Sequence, residues 1–159
     1  MRATRHNGRS GKNGTYNPKH NDRDFNIENS EHIDAERAKG NVYWDCYQGY
    51  CLPDRAREFN FSEIERAFYL EHFGEHIEAQ NCRNEAVRHK ERNRTVDDVL
   101  QNNKTCPEES ILQLGNIDGT VPASTFALIS AEYFEEFEKR FGSHIHILDW
   151  ALHLDEATP

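Results

Sequence analysis

Two rhythms of apolar and polar positions dominate the C-terminal third of the chain. From Ser130 to Phe141 the aromatic residues Tyr133, Phe134, Phe137 and Phe141 recur at helical spacing, predicting a helix with one buried face. Ser130 reads as its N-cap, acids crowd the first turns, Lys139 and Arg140 occupy the last, and Gly142 follows as the terminator. The period then changes to two. His146, Leu148, Trp150, Leu152 and Leu154 alternate with Ile145, Ile147, Asp149, Ala151, His153 and Asp155, which predicts a strand. The second face sets small Ala151 beside His153, leaving room for something to lie on the sheet.

Upstream, Ser62 and Glu65 have capping-box spacing and open a predicted helix running to about residue 92. Ile64, Phe68, Ile77 and Val87 give it an interrupted apolar stripe, with Gly74 as its weak point. Thr95 and Asp98 repeat the capping pattern for a short helix, Val96 to Gln101. Strands are predicted at 1–7, at Asn41–Tyr50 and at Ser110–Ile117, the last ending in an Asp118-Gly119 turn. Residues 8–14 read as a loop, and Pro18 biases Asn17 towards extended backbone. The expected fold is α/β of the α+β kind. An antiparallel sheet of a few strands packs against helices, and the N-terminal strand lies near the last one. The 159 residues read as a single domain.

Charge sharpens this picture. The formal net charge is −9, which argues against indiscriminate nucleic-acid binding. Its distribution is uneven. Arg2, Arg5, Arg9, Lys12, Lys19 and Arg23 oppose only Asp22 and Asp24 in the first 25 residues, and Arg88, Lys90 and Arg92 belong to a second basic cluster. Both permit a local polyanion site. Cys46, Cys51, Cys82 and Cys106 show neither disulfide density nor zinc-finger spacing, so a reducing, cytoplasmic setting is expected. No apolar run approaches a membrane span.

Three stretches carry candidate chemistry. His153, Asp155 and Glu156 place an imidazole and two carboxylates at a strand end, a mixed nitrogen and oxygen set suited to Mn²⁺ or Mg²⁺. His20 precedes Arg23 in a polar loop; a neutral imidazole can attack phosphorus and an arginine can hold the phosphate. His6 and Arg9 repeat that spacing, so the tetrapeptide alone is not diagnostic. His72, Glu75 and His76 match a metallopeptidase helix motif, but Gly74 interrupts it and no third ligand is identifiable.

Taken together, Lys19 to Phe25, then Ile33 and Asp34 with Arg37 and Asn41, then His153 to Pro159 resemble the MobV-type plasmid mobilisation relaxases, the Mob/Pre plasmid recombination family. The resemblance spans the chain in order, and its last heptapeptide is the most specific part. It implies an HUH-type fold and a DNA strand transferase of conjugative mobilisation. Such an enzyme nicks one strand at a plasmid transfer origin, presented as single-stranded or hairpin DNA, and later rejoins it. By motif position His20 would be the nucleophile, with Arg23 holding the phosphate and Tyr16 as the alternative nucleophile. His153 would be the first metal ligand. Glu156 with Asp155 would orient His20, accept its proton or support the metal. Arg2, Arg5, Arg9, Lys12, Lys19, Arg88, Lys90 and Arg92 would meet the DNA. In the family a His-x-His pair follows on the next strand. This chain stops at Pro159, so an N-terminal fragment with weak metal affinity and little nicking of its own is expected. A non-catalytic, sequence-specific DNA-binding module is the alternative function.

Overall fold

The computed structural model describes residues 16–51, 57–113 and 121–156, and the backbone course of 2–6. Its centre is a three-stranded antiparallel sheet in the order β3-β2-β5, formed by β2 (Val42–Asp45), β3 (Gly49–Cys51) and β5 (Asp149–Leu152). The stretch predicted as one strand at Asn41–Tyr50 is therefore a hairpin. Asp45 Oδ1 accepts the backbone amides of Tyr47 at 2.9 Å and Gln48 at 2.7 Å, and Gly49 takes the φ of +71° that closes a three-residue loop. Aromatic strand formers on both sides hid that turn.

Strand β5 forms inside the predicted run but covers only four residues of it, and burial does not alternate along them: Asp149, Trp150 and Ala151 are half-buried and Leu152 is buried. Trp150 lies opposite Trp44 with the rings stacked at 6.4 Å, and Phe134 of α5 (Ala123–Phe141) stacks on Trp150 at 5.2 Å. Helix α5 starts seven residues before the predicted cap. The Pro122 carbonyl accepts the first helical bond, from Phe126, and Ser130 is buried inside the helix. The aromatic face is also narrower than predicted, since Tyr133 and Phe141 are both 45% exposed. Gly142 ends the helix at φ −59°, without a left-handed turn.

Helix α3 (Phe61–Ala86) carries its capping box two residues before the predicted one, with Asn60 and Glu63 as the reciprocal pair. The shift releases Glu65 from any capping role. It is buried and accepts a hydrogen bond from the Tyr16 hydroxyl. Gly74 does not break the helix, which lays the Leu70 side chain beside it. Short α4 (Val96–Gln101) forms where the sequence pattern placed it, capped by Thr95 and Asp98. Val96 and Leu100 pack on Phe68 and Tyr69 of α3, with Ile77, Val99 and Leu148 around them. Phe61 and Ile64, on the first turn of α3, are the most deeply buried apolar side chains among the described residues.

The N-terminal strand corrects one expectation. Strand β1 (Arg2–His6) pairs antiparallel with β4 (Glu109–Gln113) in a separate two-stranded sheet, Arg2 opposite Gln113 and His6 opposite Glu109. The partner of β5 is β2, whose other edge is taken by β3, so the first strand does not neighbour the last. Strand β4 is described over Glu109–Gln113, and the rest of the predicted strand to Ile117 and the Asp118-Gly119 turn lie outside the described residues. The cysteines are free thiols, and no described helix is long and apolar enough to cross a membrane.

The β2–β5 pair sets Asp45 opposite Asp149. Asp45 is satisfied by its loop, whereas Asp149 Oδ2 is buried without a hydrogen-bond partner among the described residues. Burial first, then Glu65 and Asp22, push the Asp149 pKa well above the usual carboxylate range. Its contribution to stability is complete below about pH 4 and is lost as pH rises towards that raised pKa. Asp149→Asn is expected to raise unfolding stability by roughly 1–3 kcal/mol above neutral pH and to leave it nearly unchanged near pH 4. Urea denaturation at the two pH values checks this, and equal effects at both would contradict it.

Candidate active site

The site grows from one turn of chain. Asn17 caps α1 (Pro18–Asn21) through its side chain, and Pro18 supplies the preset φ of a first helical residue. The helix ends after one turn because Arg23 adopts φ +56°, a left-handed conformation that arginine seldom takes. That reversal sends four consecutive residues to four different partners. His20 projects outward and stacks on Phe25 at 5.8 Å. The Asn21 carbonyl accepts the Nε2 hydrogen of His153 at 2.9 Å, while its amide reaches Glu109 at 2.7 Å. Asp22 accepts the first α3 amide, Phe61 N, at 2.9 Å and pairs with Arg57 at 2.6 Å. Arg23 turns inward.

The Arg23 guanidinium is the hub. Nε and Nη2 make a two-pronged bond to Asp155 at 2.9 and 2.7 Å, Nη2 also reaches Glu156 Oε1 at 2.8 Å, and Nη1 donates to the His20 carbonyl at 3.1 Å. Nη1 lies 3.3 Å from His20 Nε2. A guanidinium has no acceptor, so that contact makes His20 Nε2 the lone-pair partner. Burial alone would lower the Arg23 pKa, but its hydrogen bonds to Asp155 and Glu156 raise it.

The carboxylates split into two environments. Asp155 is fully buried, and the Asn41 amide adds a third bond to it at 2.9 Å. Both its oxygens are thus taken, and its pKa stays low because these partners outweigh burial. Glu156 is about half exposed, with Oε1 3.6 Å from His20 Nε2 and 3.7 Å from His153 Nδ1. A hydrogen bond from a protonated His20 Nε2, ahead of Arg23, holds its pKa down to about 2; in the neutral tautomer that accepts from Arg23, the guanidinium is what keeps Glu156 ionised. Burial and then Arg23 lower the His153 pKa, keeping that ring neutral at pH 7. With Nε2 committed to the Asn21 carbonyl, its Nδ1 keeps a lone pair, the arrangement metal-binding histidines use.

The middle stretch closes the construction. Ile33 bridges to Glu156, the Asp34 amide donates to the Asp155 carbonyl at 2.9 Å, and Asp34 caps α2 (Ala35–Ala38). Asn41 Oδ1 accepts the Leu154 amide at 2.8 Å, so one buried side chain fixes both the backbone and the carboxylate of the final segment. The three stretches distant in sequence therefore meet at a single place. A metal test divides the predicted ligands. His153 Nδ1 and Glu156 fit two positions of a hard-cation set, whereas Asp155 is saturated by Arg23 and Asn41. Among the described residues no group of three ligating side chains gathers.

The other candidates fall elsewhere. Tyr16 is 5% exposed with its hydroxyl on Glu65, so the alternative nucleophile faces the interior. Lys19 is exposed at the edge of the site. Arg2 and Arg5 lie on β1, and Arg9 and Lys12 lie outside the described residues. Arg88, Lys90 and Arg92 are exposed just past the far end of α3, which runs 26 residues, or about 39 Å, away from Phe61. His72 stacks on Phe68 at 3.9 Å and donates its Nδ1 hydrogen to the Phe68 carbonyl at 3.0 Å, so it packs along its own helix. Residue patterns gave no role to Asn21 or Asp22, and none to Asn41, because their work is done by a carbonyl, a cap and a buried amide. No family model, curated protein or solved structure matches this chain.

Proposed function

We propose that the protein is a DNA strand transferase of the MobV relaxase kind, using His20 as nucleophile at a plasmid transfer origin. The observation that carries this reading is the Arg23 guanidinium, which binds the His20 carbonyl and also Asp155, 132 residues away from Arg23 in sequence, and the adjacent Glu156. An exposed imidazole whose Nε2 lone pair is fixed beside an arginine and a carboxylate suits attack on phosphorus. Neutral His153 and ionised Glu156 stand next to it, a pair fitted to a divalent cation.

In the reaction His20 Nε2 attacks the scissile phosphorus, forming an N–P bond as the P–O3′ bond breaks. The 3′ oxygen leaves with the bonding pair and takes a proton from solvent, and the Nδ1 proton of His20 is released. Rejoining is the reverse, with a 3′ hydroxyl attacking phosphorus and returning the pair to Nε2. Arg23 keeps the residue in register through its bond to the His20 carbonyl while Nε2 gives up its contact with Nη1 to form the N–P bond, and His153 with Glu156 would hold Mn²⁺ or Mg²⁺. Such an ion supplies charge stabilisation at the phosphate oxygens. Arg23 acts as a positioning residue, because its hydrogen bonds are spent inside the protein.

The test is chemical. Incubation with a single-stranded or hairpin oligonucleotide carrying a transfer origin, in the presence of Mn²⁺, is expected to give a covalent DNA–protein species. Peptide mapping by mass spectrometry should place the nucleotide on His20. An adduct mapping to Tyr16 would overturn the His20 assignment, and metal-independent binding with no adduct at any origin would favour the plain DNA-binding module.

A further inference from the structure

Two histidines with no part in the chemistry above meet across the fold. His72 lies on α3 and His146 lies three residues before β5, yet their ring centroids are 5.7 Å apart, with the planes inclined by 51°. Phe68, one turn earlier on α3, touches both rings, stacking on His72 at 3.9 Å and meeting His146 at 5.2 Å. Both imidazoles are exposed to solvent. We propose that His72 and His146 form a binding site for a borderline transition-metal ion, zinc above all, which ties α3 to the segment entering β5. The inference is independent of the strand-transferase reading.

Three features point to such an ion. The first is the tautomer. The Phe68 carbonyl can only accept, so His72 Nδ1 donates to it at 3.0 Å and Nε2 keeps the lone pair. A backbone carbonyl on the far nitrogen is how ligating histidines are commonly oriented. The second is spacing. Two imidazoles on one zinc ion, each at about 2.1 Å from it, have ring centres roughly 5–6.5 Å apart, and the separation here falls inside that range. The third is ligand chemistry. Paired imidazoles suit zinc, nickel or copper, whereas Mg²⁺ and Mn²⁺ prefer oxygen. Among the described residues no third ligating side chain gathers with them, so water completes the coordination. Exposed Glu75, three residues further along α3, adds a negative charge that draws a cation. The helical motif of His72, Glu75 and His76 thus contributes one ligand rather than two.

Calorimetric titration of the protein with zinc chloride, in excess Mg²⁺, tests the site. One zinc ion per chain is expected. His72→Ala and His146→Ala should each weaken its binding by about tenfold or more, at least the cost of losing a group that only orients a ligand. His76→Ala should bind zinc as the wild type does. Zinc should raise the melting temperature of the wild type and of His76→Ala, and leave that of the other two variants unchanged. Melts without zinc control for the fold, and His72→Gln and His146→Gln, which keep a polar side chain at each position, should reproduce the loss. Zinc bound at wild-type strength by His146→Ala would overturn the site. So would a loss confined to His76→Ala, to His153→Ala or to Cys46→Ser, each of which would place the ion elsewhere.

Discussion

Arg23→Ala is expected to lower unfolding stability by about 3–5 kcal/mol, the scale for removing one partner of a buried ion pair. Asp155 is fully buried and would keep only the Asn41 amide and its own backbone bonds. The uncompensated carboxylate would be forced towards its neutral form. Arg23→Lys keeps a charge but cannot span Asp155 and Glu156 with a planar fork, so roughly half of that loss should remain. Adding Asp155→Asn to Arg23→Ala should recover part of it, because the orphaned charge is removed as well. The dependence on pH follows from the lowered Asp155 pKa: this pair contributes fully above about pH 4, and its contribution is lost as pH falls through the folded pKa. Arg23→Ala should therefore lose the corresponding acid-side slope. Urea denaturation from pH 3 to 7 measures both, and a loss below about 1 kcal/mol would mean that Arg23 is not the hub.

His20→Ala is expected to do the opposite, sparing the fold and removing the chemistry. The His20 side chain is 55% exposed and packs mainly on Phe25, so unfolding stability should change by no more than about 0.5 kcal/mol. Covalent adduct formation should fall by roughly 10³-fold or more, as when a nucleophile is deleted. Tyr16→Phe should keep the adduct, yet cost about 1–3 kcal/mol because it leaves buried Glu65 without that hydroxyl. Two assays on three variants thus separate scaffold from reaction. Adduct at the wild-type level in His20→Ala would remove the nucleophile assignment.

Much of the local structure was legible because it rests on local rules. Thr95 and Asp98 define α4 by capping geometry alone, and the alternation around Trp150 locates β5. Errors arose where two local signals competed. Ser62 with Glu65 and Asn60 with Glu63 both satisfy the capping rule, and burial of Glu65 against Tyr16 decides between them. Ser130 looks like a cap but lies inside α5, because the preceding apolar run and Pro122 let the helix begin earlier. The three stretches meeting at the site were legible as motifs. Their joinery was not, since a left-handed arginine, an asparagine carbonyl and a buried amide leave no periodic trace. The pairing of β1 with β4 is likewise a long-range choice that neither strand announces.

The length of α3 also fixes a scale for electrostatics. The helix spans about 39 Å, with Lys19 beside its first turns and Arg88, Lys90 and Arg92 just past its last. This is several times the screening length of about 8 Å at physiological ionic strength. The two basic regions therefore contribute to a surrounding potential as independent sources. Charge changes at one end should leave the effect of changes at the other intact, so their free energies add.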